Sequence, residues 1–319
     1  MASTTVCSVC GSEAVYADVE SKVKYCRKCT LRHIYRKVVR TMKAEKMLAP
    51  GDTVLIALSG GKDSVVLVDI LGRLTRKMRG LKLLAATIDE GISAGESSYR
   101  LEALRFARKV TQEFGVPLHV FSYDSLFGGP LDAYVRLGIP KGSPCSVCGV
   151  FRRRALNMAA KALGANKIAT GHNRDDEAQT ILMNVLRGDL ERIVRQSRGA
   201  EDLIERIKPL KRISERETAV YAYLRGYEFQ TIECPYSHDT TRDTVRSLLA
   251  DAEHVISGAS DALLNFESKL RATSTPSVGF VRCRLCGSPT SSRRTLCKVC
   301  EYTSRFQERS ALTEPGSAR

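Results

Sequence analysis

Four short apolar runs alternate with amphipathic stretches along the middle of the chain. The runs are TVLIAL (53–58), LKLLAATID (81–89), PLHVFSY (117–123) and NKIATG (166–171), each of strand length. Between and after them the apolar spacing predicts helices over 64–77, 97–114, 151–163 and 175–186, with Gly115 and Gly164 closing the second and third. Further helical segments are expected at 214–225 and 240–270, and a basic amphipathic helix at 36–50 ends at Pro50. Strands alternating with helices predict an α/β fold built on a doubly wound parallel sheet.

The turn between the first strand and its helix reads Ser59-Gly60-Gly61-Lys62-Asp63-Ser64. Two glycines let the backbone approach a phosphate closely, the helix N-terminus offers free N–H groups and a favourable dipole, and Lys62 adds a positive charge. Neither GxxxxGK[ST] nor GxGxxG is present, which argues against an ordinary GTPase or kinase and against a dinucleotide site.

Ten of the eleven cysteines fall into Cys-x-x-Cys pairs. Cys7/Cys10 and Cys26/Cys29 are 15 residues apart, and Cys283/Cys286 and Cys297/Cys300 are ten apart. Both arrangements predict structural four-thiolate zinc modules. The third pair, Cys145/Cys148, has only Cys234 left to join it. Three thiolates suit an iron–sulfur cluster with one open iron, a catalytic zinc or a redox-active trio, and the alternative is a buried Cys234 beside a plain turn.

Composition narrows the class. Hydrophobic residues make up 43% and charged residues 27%, so a mostly disordered chain is excluded. The apolar runs are too short to span a bilayer, and no secretory signal is visible, so a cytoplasmic location is expected. Fifty Lys and Arg against 35 Asp and Glu give +15, which points to a polyanionic partner, nucleic acid above all. The expected division is a module at 1–35, a main domain at 36–270, a second module at 271–310 after the linker RATSTPSVGF, and a disordered tail at 311–319.

The phosphate turn resembles the PP-loop of N-type ATP pyrophosphatases. Taken with Cys145-Ser-Val-Cys148-Gly-Val-Phe-Arg-Arg, Thr170-Gly-His-Asn-Arg-Asp-Asp-Glu, Asn184-Val-Leu-Arg-Gly-Asp, Glu233-Cys234 and the flanking four-cysteine modules, the chain is similar to the TtuA/TtcA-type tRNA 2-thiolation enzymes. Within them it is most like the archaeal and eukaryotic cytoplasmic wobble-uridine branch. The resemblance implies a Rossmann-like pyrophosphatase domain, ATP held by Ala57 and Ser59–Ser64, Ile88 bordering the adenine, and a pocket closed at Gly171. It implies that Lys62, Asp63, Arg152 and Asp176 act at the ATP and its Mg2+, and that Cys145, Cys148 and Cys234 hold a 4Fe–4S cluster whose open iron can bind sulfide. For Asp63 and Asp176 the residue types agree, since carboxylates beside phosphates hold divalent ions. Asp175 and Asp176 also suit a helix first turn, and His172 is equally a hydrogen-bonded core histidine.

The expected activity is a tRNA sulfurtransferase. The C2 carbonyl oxygen of a uridine, at position 34 rather than 54, would attack the α-phosphate, release pyrophosphate and leave as AMP when sulfur replaces it. Expected partners are tRNA, gripped partly through the 36–50 helix and Arg152–Arg154, a sulfur donor (a ubiquitin-like thiocarboxylate carrier or sulfide), and a second copy in a homodimer. Two alternatives are persulfide chemistry at the same cysteines without iron and, in a different class, a zinc-ribbon RNA-binding protein without catalysis.

Overall fold

In the computed structural model, the described residues are 5–18, 21–93, 98–139, 143–195, 203–237, 241–274 and 280–313. The N-terminal segment holds β1 (Tyr16–Ala17), β2 (Lys24–Tyr25) and α1 (Arg27–Ala44). The main body contributes β3 (Thr53–Ala57), α2 (Lys62–Thr75), β4 (Lys82–Asp89), α3 (Ser98–Phe114), β5 (Leu118–Ser122), α4 (Tyr123–Phe127), α5 (Leu131–Arg136) and α6 (Pro144–Ala162). It continues through β6 (Lys167–Thr170), α7 (Arg174–Leu186), α8 (Leu190–Arg195), β7 (Glu205–Ile207), α9 (Glu215–Arg225), α10 (Thr241–Val255) and α11 (Ala259–Thr273). The C-terminal segment adds β8 (Phe280–Arg282), β9 (Pro289–Ser291) and α12 (Lys298–Thr313).

Five parallel strands form the central sheet in the order β5-β4-β3-β6-β7. Both faces are covered, which is why the strands read as nearly unbroken apolar runs. Val54 and Ile56 enter the core beneath α1, α2 and α9, whereas Leu55 between them enters the other core, beneath α4 and α6. Chain order reverses direction across the sheet at β3, between β4 and β6. In open α/β sheets the carboxyl ends of the strands at such a reversal form the ligand crevice. A fully buried carboxylate, Asp69 on α2, accepts hydrogen bonds from Arg73 Nε (2.9 Å) and Tyr227 Oη (2.6 Å), and from Tyr221 on α9. It ties α2 to α9 and to the chain that follows.

Several element boundaries differ from the pattern-based reading. The basic helix begins at Arg27 and ends at Ala44, not at 36–50. Cys26 is its N-cap, and Ile34, Val38 and Met42 continue one buried stripe. It stops in a Schellman motif: Lys46 is left-handed (φ 51°), with Met47 N–H on Met42 O (2.9 Å) and Lys46 N–H on Lys43 O (3.2 Å). The helix expected at 151–163 starts at Pro144, because the Ser143 hydroxyl caps Cys145 N–H and proline suits the first helical position. The segment 240–270 is two helices, broken at left-handed Gly258, where the Glu253 carboxylate accepts Gly258 N–H (3.0 Å) and Ser260 N–H (2.7 Å). Helix α12 extends to Thr313, so 311–313 of the expected tail are helical, and 314–319 lie outside the described residues, as do 275–279 of the linker.

Candidate functional site

The Ser59–Ser64 turn leaves β3 at the sheet's carboxyl edge and leads into α2. Gly61 is the N-cap and no side chain caps this helix, so its first N–H groups stay available to an anion. Ser64 Oγ donates to Gly61 O (2.8 Å) and sits 3.2 Å from Ser59 Oγ, folding the turn on itself. Gly60 is left-handed at φ 88°, and a Cβ there would lie 2.6 Å from Ala103 O on α3. Gly171, in the turn after β6, packs directly on the phosphate turn: a Cβ would come within 3.1 Å of the Asp63 carbonyl carbon and of Ser64 N.

A cavity of about 230 Å³ opens at this edge. Of the residues singled out from the sequence, Ala57, Ser59, Gly61, Asp63, Ser64, Ile88, Arg152 and Gly171 line it. Three others are not part of its lining. Gly60 turns toward α3. Lys62 pairs with Glu215 Oε1 (2.8 Å) and Asp63 Oδ2 (3.2 Å); burial opposes its charge, but the two carboxylates outweigh this and hold its pKa above the usual lysine value. Asp176 closes a capping box with Asn173 at the start of α7. Burial first, then the charge of Asp63, pushes the Asp176 carboxyl up to about 6, with hydrogen bonding from Asn173 N–H opposing. A carboxyl whose proton affinity is raised by a neighbouring carboxylate, beside a phosphate-binding turn, marks a place where a divalent cation is electrostatically favoured. Asp63 is held by Thr218 Oγ1 (2.6 Å) from α9 and Asn173 Nδ2 (3.3 Å) from α7.

Four further lining residues carry polar chemistry: Glu90 and Arg100, which belong to no motif, and Thr170 and His172, from the Thr170-Gly-His segment. Neither Glu90 nor Arg100 carries a motif; position alone, charge where an apolar strand leaves the sheet at Asp89-Glu90-Gly91, draws attention to Glu90. His172 Nδ1 is 2.9 Å from Thr170 Oγ1. Its side chain reaches solvent at the cavity wall, yet desolvation by the surrounding protein, reinforced by the Lys208 charge, lowers its pKa to about 4, so it is a neutral imidazole at pH 7.

Arg152, at the cavity mouth, joins two chemistries. Its Nη2 lies 3.0 Å from Glu90 Oε1 and 3.3 Å from Cys148 Sγ. Cys145 and Cys148 occupy the first turns of α6, and Cys145 Sγ is 3.2 Å from Tyr236 O, two residues past Cys234. Tyr123 Oη donates to Cys148 O (2.8 Å) and anchors that turn. Cys234 packs against the same core, and burial, with the charges of the two helix thiols contributing, pushes its pKa up. The three thiols therefore share one neighbourhood beside the cavity.

The other eight cysteines make two sets of four. In each, all four sulfurs lie within 4.8 Å of one another. Representative Sγ···Sγ distances are 3.5 Å (Cys10–Cys26), 3.7 Å (Cys10–Cys29) and 3.7 Å (Cys286–Cys297). A tetrahedral metal with bonds of about 2.3 Å requires about 3.8 Å, so both sets fit a tetrahedral metal. Among the described residues, the Cys145/Cys148/Cys234 trio is not among the sets that converge to within 4.8 Å. That separates it from the two compact four-sulfur sites.

Fold and phosphate turn together define a PP-loop nucleotide-binding protein, and the family model for the PP-loop domain matches residues 31–253. Sequence relatives are narrower in kind. Cytoplasmic tRNA 2-thiolation protein 1 of Laccaria bicolor is 35% identical over 320 residues, covering 97% of this chain and 88% of that protein. Its Drosophila melanogaster namesake is 35% identical over 301 residues, covering 92% and 85%. Among solved structures, the U34-tRNA thiolase NcsA of Methanococcus maripaludis, determined with its [4Fe-4S] cluster, superposes with a TM-score of 0.82 at 29% identity, covering 95% of this chain and 97% of that one. The chain belongs to the PP-loop family, in the group formed by the cytoplasmic tRNA 2-thiolation proteins.

Proposed function

We propose that this protein is an ATP-dependent tRNA 2-thiolation enzyme of the cytoplasm, acting on uridine 34. The observation that carries the reading is a single cavity whose wall runs from an uncapped phosphate turn to Arg152, which itself touches Cys148 Sγ at 3.3 Å. An ATP-activating site and a sulfur-handling site thus sit within one side chain of each other. Relatives and a solved neighbour with the same architecture are named for tRNA thiolation.

In this reading the Ser59–Ser64 amides bind the ATP phosphates, and the base lies toward Ile88. Lys62, held by Glu215, supports the turn from behind while Arg152 offsets negative charge developing at the α-phosphate. The uridine C2 oxygen attacks there, pyrophosphate leaves, and the base is activated for replacement of that oxygen by sulfur. Asp63 and Asp176 are the residues that would hold Mg2+, and Cys145, Cys148 and Cys234 those that would hold a 4Fe–4S cluster. When bound, the ion neutralises phosphate charge and the cluster offers an iron without a protein ligand to sulfide. The two four-cysteine sets would each hold a zinc ion, which joins the first set to the start of α1 and the second to the start of α12. Sulfur would come from sulfide or a thiocarboxylate carrier. The net charge of +15 suits a tRNA partner.

Two measurements test this. Anaerobically purified protein with tRNA should convert ATP to AMP and pyrophosphate and yield thiouridine by mass spectrometry. Cys234→Ser should abolish thiouridine while tRNA binding survives. Wild-type protein that binds tRNA but releases no pyrophosphate would return the chain to the class of RNA-binding modules.

A further inference from the structure

Glu90 is the most unusual group in the cavity. It is only 4% exposed, yet it lines the pocket. Its backbone is fixed: Glu90 O accepts Leu131 N–H (2.8 Å), and the chain turns at left-handed Gly91, where a Cβ would lie 2.3 Å from Pro130 Cβ. One carboxylate oxygen, Oε1, meets Arg152 Nη2 at 3.0 Å. The other, Oε2, is buried and accepts no hydrogen bond among the described residues; its ion-pair partner, Arg100 Nη1, stands 3.5 Å away. Arg100 is held in place by donating to Ile88 O. A buried carboxylate oxygen that accepts no hydrogen bond is costly unless a ligand supplies the donor.

The order of groups identifies that donor. Arg100, Glu90 and Arg152 all line the cavity, with the carboxylate between the two guanidiniums, so an acceptor is flanked by donor-bearing groups. Uracil's Watson–Crick edge is the complement: O4 accepts, N3–H donates, O2 accepts. Cytosine presents an amino donor and an unprotonated N3, which would face a carboxylate with nothing to offer it. We propose that Glu90 accepts the N3–H of the target uridine between the two arginines, and that it is both the residue that selects uridine over cytidine and the base that takes the N3 proton. The proposal rests on the thiolation reading above.

The proton balance is complete. As O2 bonds to the α-phosphorus and pyrophosphate leaves, N3 gives its proton to Glu90, and the adenylated base carries a neutral N3=C2 bond. Hydrosulfide then forms the C2–S bond, the C2–O bond breaks, and AMP departs with that electron pair. The hydrosulfide proton passes to AMP, and Glu90 returns its proton to N3, leaving C2=S beside N3–H. Nothing is oxidised or reduced. Site specificity follows from the same contact, because a site built to hydrogen-bond an N–H rejects an analogue lacking it.

The test is tRNA-dependent pyrophosphate release by the full-length, cluster-loaded protein, with the wild type, Glu90→Gln and Glu90→Asp. Glu90→Gln keeps an oxygen for Arg152 but removes the base. It should lower kcat about 100-fold or more, leave KM for ATP unchanged and leave the melting temperature close to that of the wild type. Glu90→Asp should recover part of the rate. A tRNA with 5-fluorouridine at the target position, whose N3–H is more acidic, should rescue Glu90→Gln far more than it speeds the wild type. A merely structural role predicts no such rescue. Equal defects of Glu90→Gln on both tRNAs overturn the proposal. So does weakened ATP binding by Glu90→Gln without tRNA, since the donor would then belong to the nucleotide. If Glu90→Gln fails to fold, the 5-fluorouridine comparison is read on Glu90→Asp, and absence of rescue there is equally fatal. Wild-type protein that releases no pyrophosphate with tRNA defeats the thiolation reading itself and this proposal with it, whereas failure confined to the variants leaves that reading standing.

Discussion

Substituting Gly60 isolates how tightly the phosphate turn is built. Two penalties act on Gly60→Ala. The backbone sits at φ 88°, and an L-residue in that region costs about 1–2 kcal/mol. The new Cβ would lie 2.6 Å from Ala103 O and 2.7 Å from Ala103 Cα, main-chain atoms of a packed helix, and overpacking of this kind costs about 1–3 kcal/mol. Together they predict a loss of about 2–5 kcal/mol. Gly226 is the control: its φ is 73° and a Cβ there meets nothing within 4 Å, so Gly226→Ala should lose only about 1–2 kcal/mol. Urea unfolding at constant m-value measures both. Relief of the clash must move either α3 or the turn itself, so ATP affinity should drop about tenfold or more, about 1.4 kcal/mol, in Gly60→Ala alone. If the two variants unfold at the same urea concentration, or if ATP binds Gly60→Ala as it binds the wild type, close packing of the turn against α3 is not what shapes the phosphate site.

Two further predictions concern carboxylates, one half-buried and one fully buried. Asp176 is raised to about 6, so the folded protein holds this proton more tightly than the unfolded chain, and its contribution to stability falls as pH rises from about 4 to 6. In nucleotide- and magnesium-free protein, Asp176→Asn should therefore be more stable than wild type at pH 7.5. The gain is about 1 kcal/mol once partial exposure and the lost capping bond are set against the shift. Urea titrations showing the variant weaker than wild type at pH 7.5 would refute this. Asp69→Asn leaves the guanidinium of Arg73 without its buried counter-charge and should cost about 3 kcal/mol. A loss below about 1 kcal/mol by the same assay would mean that the link between α2 and α9 is not electrostatic.

The parallel sheet was legible because strands covered on both faces must be apolar throughout, and four of its five announce themselves in that way. The fifth, Glu205–Ile207, is a three-residue edge strand with two charged positions, too short for any periodicity to register. Helix starts are illegible where cysteines sit in a first turn: the helices expected from 36 and 151 begin at Arg27 and Pro144, after the N-caps Cys26 and Ser143. Ligand spacing and helix capping draw on the same residues, and pattern alone does not rank them. The phosphate turn and the trio were visible as local motifs. Glu90 and Arg100 were not, because what distinguishes them is an unsatisfied oxygen and an enclosing fold, neither of which has a linear signature.

The C-terminal module bears on the sulfur site through packing rather than proximity in sequence. Phe306 of α12 stacks on Tyr134 (ring centroids 4.2 Å), and Tyr302 meets Phe151 edge-on at 6.2 Å. Phe151 is three residues beyond Cys148 and also packs against Tyr123, whose hydroxyl holds Cys148 O. One continuous aromatic cluster thus runs from the helix that follows Cys297 to the turn that presents Cys148. Gly129 is small for the same reason, since a Cβ there would lie 2.6 Å from the Phe306 ring. Interiors packed this closely transmit strain rather than absorb it. A metal held by the distant four-cysteine set would, by fixing the start of α12, therefore help fix the cysteine turn of α6, joining the two segments mechanically.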